Sequence, residues 1–417
     1  MTNGDWTLDH DDSALVALNL AAVEAAVASP AAAGSALGPS APCRQLAARS
    51  VQCDADLFID AGLGLRLPRG AGNVVVDRID VERGSARAYL PTRIDPALVW
   101  VDVFESEGGE LSLDCGRDID ATCDANHVVG GVGPQPALLS LGLIGGFAYL
   151  PQLVQRDGDE CEQADDSRCS GLTLLDVKAA SGPRVIDFLF DFFRQDPRQE
   201  DGLAGGFAAA ERPCNPDDPP SQSRDCTRPL VYASQRYWNG LRQFTVAPAT
   251  GLAFSSSSVM LTPNNIDGAP DRPLNGEIAF ANPDELYMVS TTPPALSRID
   301  TSLDAAADPR NIITQTVSLC SNPNHLALWQ PSNGERLAFV SCYSDGRVSA
   351  VELDTMRVVR TIHLGPGSNE LLVDAERQWL FAANVIEGSI SIIELDQTHP
   401  AYLEEIITLG PRDEREP

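Results

Sequence analysis

The residues of this chain that could do chemistry are five histidines, ten cysteines and a large excess of carboxylates. The histidines, His10, His127, His325, His363 and His399, stand one per segment. They show no HExxH and no paired spacing, so they define no zinc or copper site. His325 is the one to weigh, because it opens an apolar strand in the run NPNH, and Asn369 opens a matching strand in GSNE. A histidine there suits general acid–base work, or simply caps a strand through a hydrogen bond. Ser255 to Ser258 form a run of hydroxyls without a GxSxG elbow, so they read as polar strand or loop. The glycine runs GGVG (130–133) and GLAGG (202–206) are not followed by the helix or lysine that phosphate binding needs. No organic cofactor is expected.

The carboxylates offer cation chemistry. Asp157, Asp159, Asp165 and Asp166 lie in one loop, with Gly158 between the first two, and oxygen ligands so spaced suit calcium. A second acidic loop carries Asp114, Asp118, Asp120 and Asp124. Neither follows the twelve-residue EF-hand spacing, so solvated acidic loops are the competing reading. With 30 Lys+Arg against 59 Asp+Glu the formal net charge is −29. A polyanion of this size repels phosphate backbones and anionic lipid, which excludes nucleic-acid binding and peripheral binding through a basic patch.

The ten cysteines fall into five couples close in sequence: Cys43 with Cys53, Cys115 with Cys123, Cys161 with Cys169, Cys214 with Cys226, and Cys320 with Cys342. Four close short polar segments such as CGRDIDATC and CNPDDPPSQSRDC. Disulfides are the expected chemistry, and they persist in oxidising compartments, which places the chain outside the cytoplasm, in the periplasm, at the cell surface or secreted. Buried thiols and a metal site are the alternatives, but CxxC spacing is absent. The alanine-rich stretch from Ala21 to Ala41 is broken by Pro30, Gly34 and Pro39 and lacks a basic flank, so neither a signal peptide nor a membrane span is read.

The elements that must position these residues repeat. Arg336 to Asp354 reads RLAFVSCYSDGRVSAVELD and Trp379 to Asp396 reads WLFAANVIEGSISIIELD: a strand, a short turn with glycine, and a strand ending in an acid. The second ending recurs at Asn19, Asp102, Asp176, Thr245, Asp300, Glu352 and Glu394, and the first recurs as AYLPT, AYLPQ, VYASQ, YMVST, AFVSC and FAANV. Leading and trailing strands flank each unit, and the alternation of apolar residues bounded by turn formers is a strand signal. Four strands per unit, seven units and no long amphipathic helix predict an all-β, seven-bladed propeller in one domain over 1–417. The blades fall near 1–69, 70–117, 127–195, 202–262, 275–319, 322–365 and 367–410. The first blade lacks a leading strand, which implies a natural start further upstream. Marker intervals shrink from 83 to 42 residues because the N-terminal half carries cysteine-closed insertions. Such insertions cost only logarithmically in closure entropy.

The SISIIELD grammar resembles the YVTN-type repeat of seven-bladed propellers from bacterial surface and periplasmic proteins. The resemblance covers all units loosely and the last two well. It implies a fold and a compartment, and, through propeller lactonases that share the grammar, a ligand site at the channel mouth near His325 and Asn369.

Three functions follow as expectations. The first is a non-enzymatic protein whose acidic, cysteine-closed loops bind a protein or glycan partner, since rigid loops lower the ordering cost of binding. The second is a channel-mouth enzyme of the lactonase or amine-dehydrogenase kind. The third is a calcium-stabilised adhesion or structural module. Nothing in the sequence speaks for direct membrane insertion, and the oligomeric state is not legible.

Overall fold

The structure is a computed structural model that describes residues 2–3, 13–28, 43–47, 50–55, 58, 65–80, 84–105, 111–116, 123–143, 146–153, 156–157, 168–169, 171–189, 205–214, 229–236, 240–247, 253–260, 274–306, 308–332 and 334–410. They belong to two compact units, one of residues 65–318 and one of residues 3–64 with 319–417.

The first unit holds four antiparallel sheets in sequence order. The first sheet runs Val75–Asp80, Ser85–Thr92, Ala97–Glu105, with a fourth edge split into Leu111–Asp114 and Val128–Val129. The second runs Ser140–Leu141, Phe147–Pro151, Leu172–Asp176, Arg184–Leu189. The third runs Gly206–Glu211, Leu230–Gln235, Gly240–Val246, Ala253–Met260. The fourth runs Leu274–Asn282, Glu285–Thr292, Ala295–Asp300, Ile312–Ser318. In the other unit the fifth sheet runs Pro323–Trp329, Leu337–Cys342, Arg347–Glu352, Arg357–His363. The sixth runs Ser368–Asp374, Trp379–Asn384, Ser389–Glu394, Glu405–Gly410.

Four-stranded up-and-down sheets repeated in this way make the chain an all-β propeller. The expected seven blades are corrected to six among the described residues. Residues 1–69 form no four-stranded sheet of their own there. The hairpin Cys43–Ala47 and Ser50–Asp54 joins the sixth sheet instead, its second strand parallel to Glu405–Gly410. The run LVALN was read as a strand ending at Asn19. The strand there is Ser13–Leu15, and the chain then enters the helix Leu20–Ala28, whose alanines favour helix and whose first turn is capped by Asn19 Oδ1 accepting from Ala22 N at 3.1 Å.

The sheets form where second strands bury one aromatic at a repeating place: Tyr89, Tyr149, Tyr232 and Tyr287, then Phe339 and Phe381. In the first unit they pack with Leu98, Leu150, Leu174, Phe244 and Leu286 between consecutive sheets. In the second unit, Phe339 lies with Leu380 and Ile393, while Phe381 lies with Val23, Val51, Phe58 and Ile407. Full burial of such a side chain is worth about 2–3 kcal/mol, so this row is a main determinant of the blade stack. The acidic endings have a local role. Asp176 Oδ1 accepts from Lys178 N, Asp300 Oδ1 from Ser302 N and Glu394 Oε1 from Asp396 N, each within 2.9 Å, closing the turn to the fourth strand.

Disulfides join Cys43 to Cys53, Cys115 to Cys123 and Cys320 to Cys342. Cys214 is also disulfide-bonded. Cys161, Cys226 and the side chain of Cys169 lie outside what the structure describes. The blade bounds 70–117 and 127–195 put the Cys115–Cys123 loop at the junction of two blades. It sits within the fourth edge of the first sheet, between Leu111–Asp114 and Val128–Val129, both of which pair with Ala97–Glu105. Among the described residues no helix is long and apolar enough to cross a membrane.

Candidate functional site

The leading strand of every sheet carries one residue too many where it begins. In the third to sixth sheets two residues oppose one of the second strand: Phe207–Ala208, Gly276–Glu277, Asn324–His325 and Asn369–Glu370. In the first two sheets three oppose two, between the Ala71–Thr92 and Pro136–Gln152 bridges and the regular ladder. A bulge at this place re-aims side chains that a regular strand would send to alternate faces. In a propeller the leading strand is innermost, so within each unit the bulges lie at the start of the innermost strands.

In the unit of residues 319–417 this register places the sequence candidates. Pro323 pairs with Cys342 and Ser368 with Asn384, so Asn369 matches Asn324 and the residue matching His325 is Glu370. His325 is buried, and its backbone N–H donates to Ser341 Oγ at 3.2 Å. The third sheet repeats this device: Ala208 N donates to Ser234 Oγ at 3.0 Å. Glu370 and Asn369 are half-buried. The leading strands of the fifth and sixth sheets touch, which makes His325 and Glu370 neighbours in the repeat. Sequence reading chose Asn369 as the strand opener and missed Glu370, the residue that the ladder sets level with His325.

A polar network backs these strand starts. Ser368 Oγ donates to Asn384 Oδ1 at 2.8 Å, and Asn384 Nδ2 donates to Ser389 Oγ at 3.0 Å and Ser391 Oγ at 2.9 Å. Ser389 Oγ in turn donates to Glu387 Oε2 at 2.6 Å. Further along, burial pushes the Glu405 carboxyl up and nearby Glu387 adds to this, against hydrogen bonds from Ser391 and Thr408. On the fifth sheet, Cys342 stands between Pro323 and Arg347 in the ladder. There the buried Asn324 Oδ1 and Arg347 Nε have no hydrogen-bond partner among the described residues. An orphan acceptor and an orphan donor at one edge mark a place for water or ligand.

In the unit of residues 65–318 the same strand ends hold Thr92, Gln152, Gln235 and Ser290, all buried. Gln152 Nε2 donates to the carbonyls of Val132 and Leu150 and to Thr173 Oγ1. A side chain at Gly205 would place its Cβ against the Gln152 carbonyl, so that approach requires glycine. Asn275 Nδ2 donates to Gln235 O at 2.8 Å and Ser290 Oγ donates to Asn275 Oδ1 at 3.2 Å. Glu277 occupies the bulge place of Glu370. Of the calcium candidates, Asp157 lies in a two-residue strand pairing with Arg168–Cys169, and Asp159, Asp165 and Asp166 lie outside the described residues.

No protein-family model and no curated sequence matches the chain. Solved structures share its fold. The periplasmic gluconolactonase of Pseudomonas aeruginosa is similar with a TM-score of 0.54 and 14% identity, over 81% of this chain and 85% of that one. A 6-phosphogluconolactonase, described as putative, from Bacteroides uniformis gives 0.53 and 14%, over 79% and 83%. One from Bacteroides fragilis, described likewise, gives 0.50 and 12%, over 84% and 90%. At these identities the likeness is one of fold. It nevertheless corrects the expectation of a non-enzymatic partner-binding protein, since these similar propellers are described as enzymes.

Proposed function

We propose that this chain is a hydrolase of the propeller-lactonase kind, opening a small sugar lactone at the rim formed by the leading strands of the fifth and sixth sheets. The observation that carries this reading is the pairing of His325 and Glu370 at the same bulge place on adjoining leading strands. Glu370 is the general base, because it is half-buried where His325 is buried. It takes a proton from water as the water oxygen attacks the lactone carbonyl carbon, and Arg347 offsets the charge that develops on the carbonyl oxygen. The ring C–O bond then breaks, and the proton held by Glu370 passes to the leaving ring oxygen, giving a hydroxy acid. His325, held by Ser341, positions the strand. The disulfides support work outside the reducing cytoplasm.

The test is hydrolysis of D-glucono-1,5-lactone and a panel of related lactones, followed against buffer alone. Wild-type protein should accelerate ring opening, and Glu370→Gln should lower kcat about 100-fold or more with little change in KM. No acceleration on any lactone, or a Glu370→Gln variant as active as wild type, overturns the reading.

A further inference from the structure

The six sheets serve as internal controls for one another, and the fourth departs from the rest. Two residues before the buried aromatic of the second strand stand Phe147, Leu230, Leu337 and Trp379 in the second, third, fifth and sixth sheets. Opposite the aromatic stand Leu174, Gln243, Ala350 and Ile392. In the fourth sheet these two places hold Glu285 and Arg298. The first sheet also places a charge here, Arg87 with Asp102, but Trp100 and the carbonyls of Ala179 and Ala180 close over it. In the fourth sheet the exchange leaves a cavity of about 380 Å³ lined by Asn282, Asp284, Glu285, Arg298, Asp300, Thr314 and Gln315.

The floor of this cavity is rigid. Glu285 is 5% exposed. Its Oε1 accepts from Tyr287 OH at 2.8 Å and pairs with Arg298 Nε at 2.7 Å, and its Oε2 accepts from Asn282 Nδ2 at 2.9 Å. An ion pair on a buried carboxylate is a weak stabiliser compared with the apolar pairs of the second, fifth and sixth sheets, so its presence beside a cavity calls for another explanation.

We propose that this cavity binds a small uncharged polyhydroxylated molecule, of the size of a polyol or a monosaccharide. Three carboxylates line it against one guanidinium, which disfavours an anion. A metal cation is disfavoured too, because both Glu285 oxygens are engaged as above, as is one oxygen each of Asp300, by Ser302 N, and of Asp284, by Arg212 at 3.2 Å. Arg298 also brings a fixed positive charge into the space. What remains is a wall of mixed donors and acceptors: Arg298 and the Gln315 amide, the Thr314 hydroxyl, and Asp300 Oδ2, which accepts no hydrogen bond among the described residues. Hydroxyl groups, each both donor and acceptor, match such a wall. The site is separate from the Glu370 rim and does not depend on it.

The test is saturation-transfer NMR and calorimetry with glucose, myo-inositol, gluconate and calcium chloride on the full chain. Glucose or myo-inositol should bind with millimolar affinity, and gluconate and calcium should not compete. Glu285→Leu combined with Arg298→Leu installs an apolar pair like those of the second, fifth and sixth sheets, so it should fold with an unchanged or higher Tm and lose polyol binding about tenfold or more. Gln315→Ala, at the edge of the cavity, provides a second variant that leaves the ion pair intact, and it should weaken binding several-fold. The proposal fails if neither polyol binds wild type, if only gluconate or calcium binds, or if both variants bind as wild type does.

Discussion

At Asn384 a single buried amide holds three hydroxyls, those of Ser368, Ser389 and Ser391, together across three strands of the sixth sheet. Asn384→Ala removes all three partners at once and leaves buried groups unsatisfied, which should cost about 2–4 kcal/mol. Urea unfolding of the variant checks this, and a loss below the error of the method would show that water replaces the amide. Asn384 was legible as the polar end of FAANV. The place of Glu370 was not, because Asn369 was chosen as the strand opener. Both leading strands carry the same bulge, and the ladder, which sets Pro323 against Ser368, matches His325 with Glu370 and not with Asn369. Site residues that depend on a bulge escape any reading by alternation, since the inserted residue can be of any type.

The added hairpin shows the same limit at the scale of an element. Cys43 and Cys53 announced a closed loop by spacing, whereas the helix in the Ala-rich run before them was not read. Nothing local could show that Ser50–Asp54 would lie parallel to Glu405–Gly410, because that pairing joins segments some 350 residues apart in sequence. Its effect is clear physically: it covers the open edge of the last strand of the sixth sheet, which would otherwise be available for pairing with another chain. Helix Leu20–Ala28 lies against the same sheet through Val23, and Glu24 meets Arg377 at 2.6 Å. Closing a loop of this length in the unfolded chain is worth about 3 kcal/mol. Replacing Cys43 and Cys53 together by serine should therefore lower the chemical unfolding midpoint. It should also raise self-association, read by light scattering, as the edge of Glu405–Gly410 opens more often. A variant that unfolds earlier yet stays monomeric would separate the staple from edge protection.

Across the whole molecule the repeat was readable because the sheets reuse one pattern, an aromatic in the second strand of each and, in the second, fourth and sixth, a turn-closing acid after the third. The count was not, because the N-terminal segment carries part of that pattern in a helix and an added hairpin. The same turn-closing acids contribute to the net charge of −29, and a field of that sign acts on any charged substrate before contact. At low salt the Debye length is roughly 30 Å, and at 1 M it is about 3 Å, so the field is felt in the first condition and screened in the second. For a neutral sugar lactone the rim reaction proposed above should show kcat/KM independent of salt. For a phosphorylated lactone of the same ring, long-range repulsion should depress kcat/KM at low salt and release it as salt rises, while kcat at saturation stays level. Measuring both substrates across that range separates the field of the molecule from the chemistry of the site. If kcat/KM for the anionic lactone instead falls with salt, arginines at the rim outweigh the surrounding carboxylates, and the net charge of the chain does not describe the potential its substrate meets.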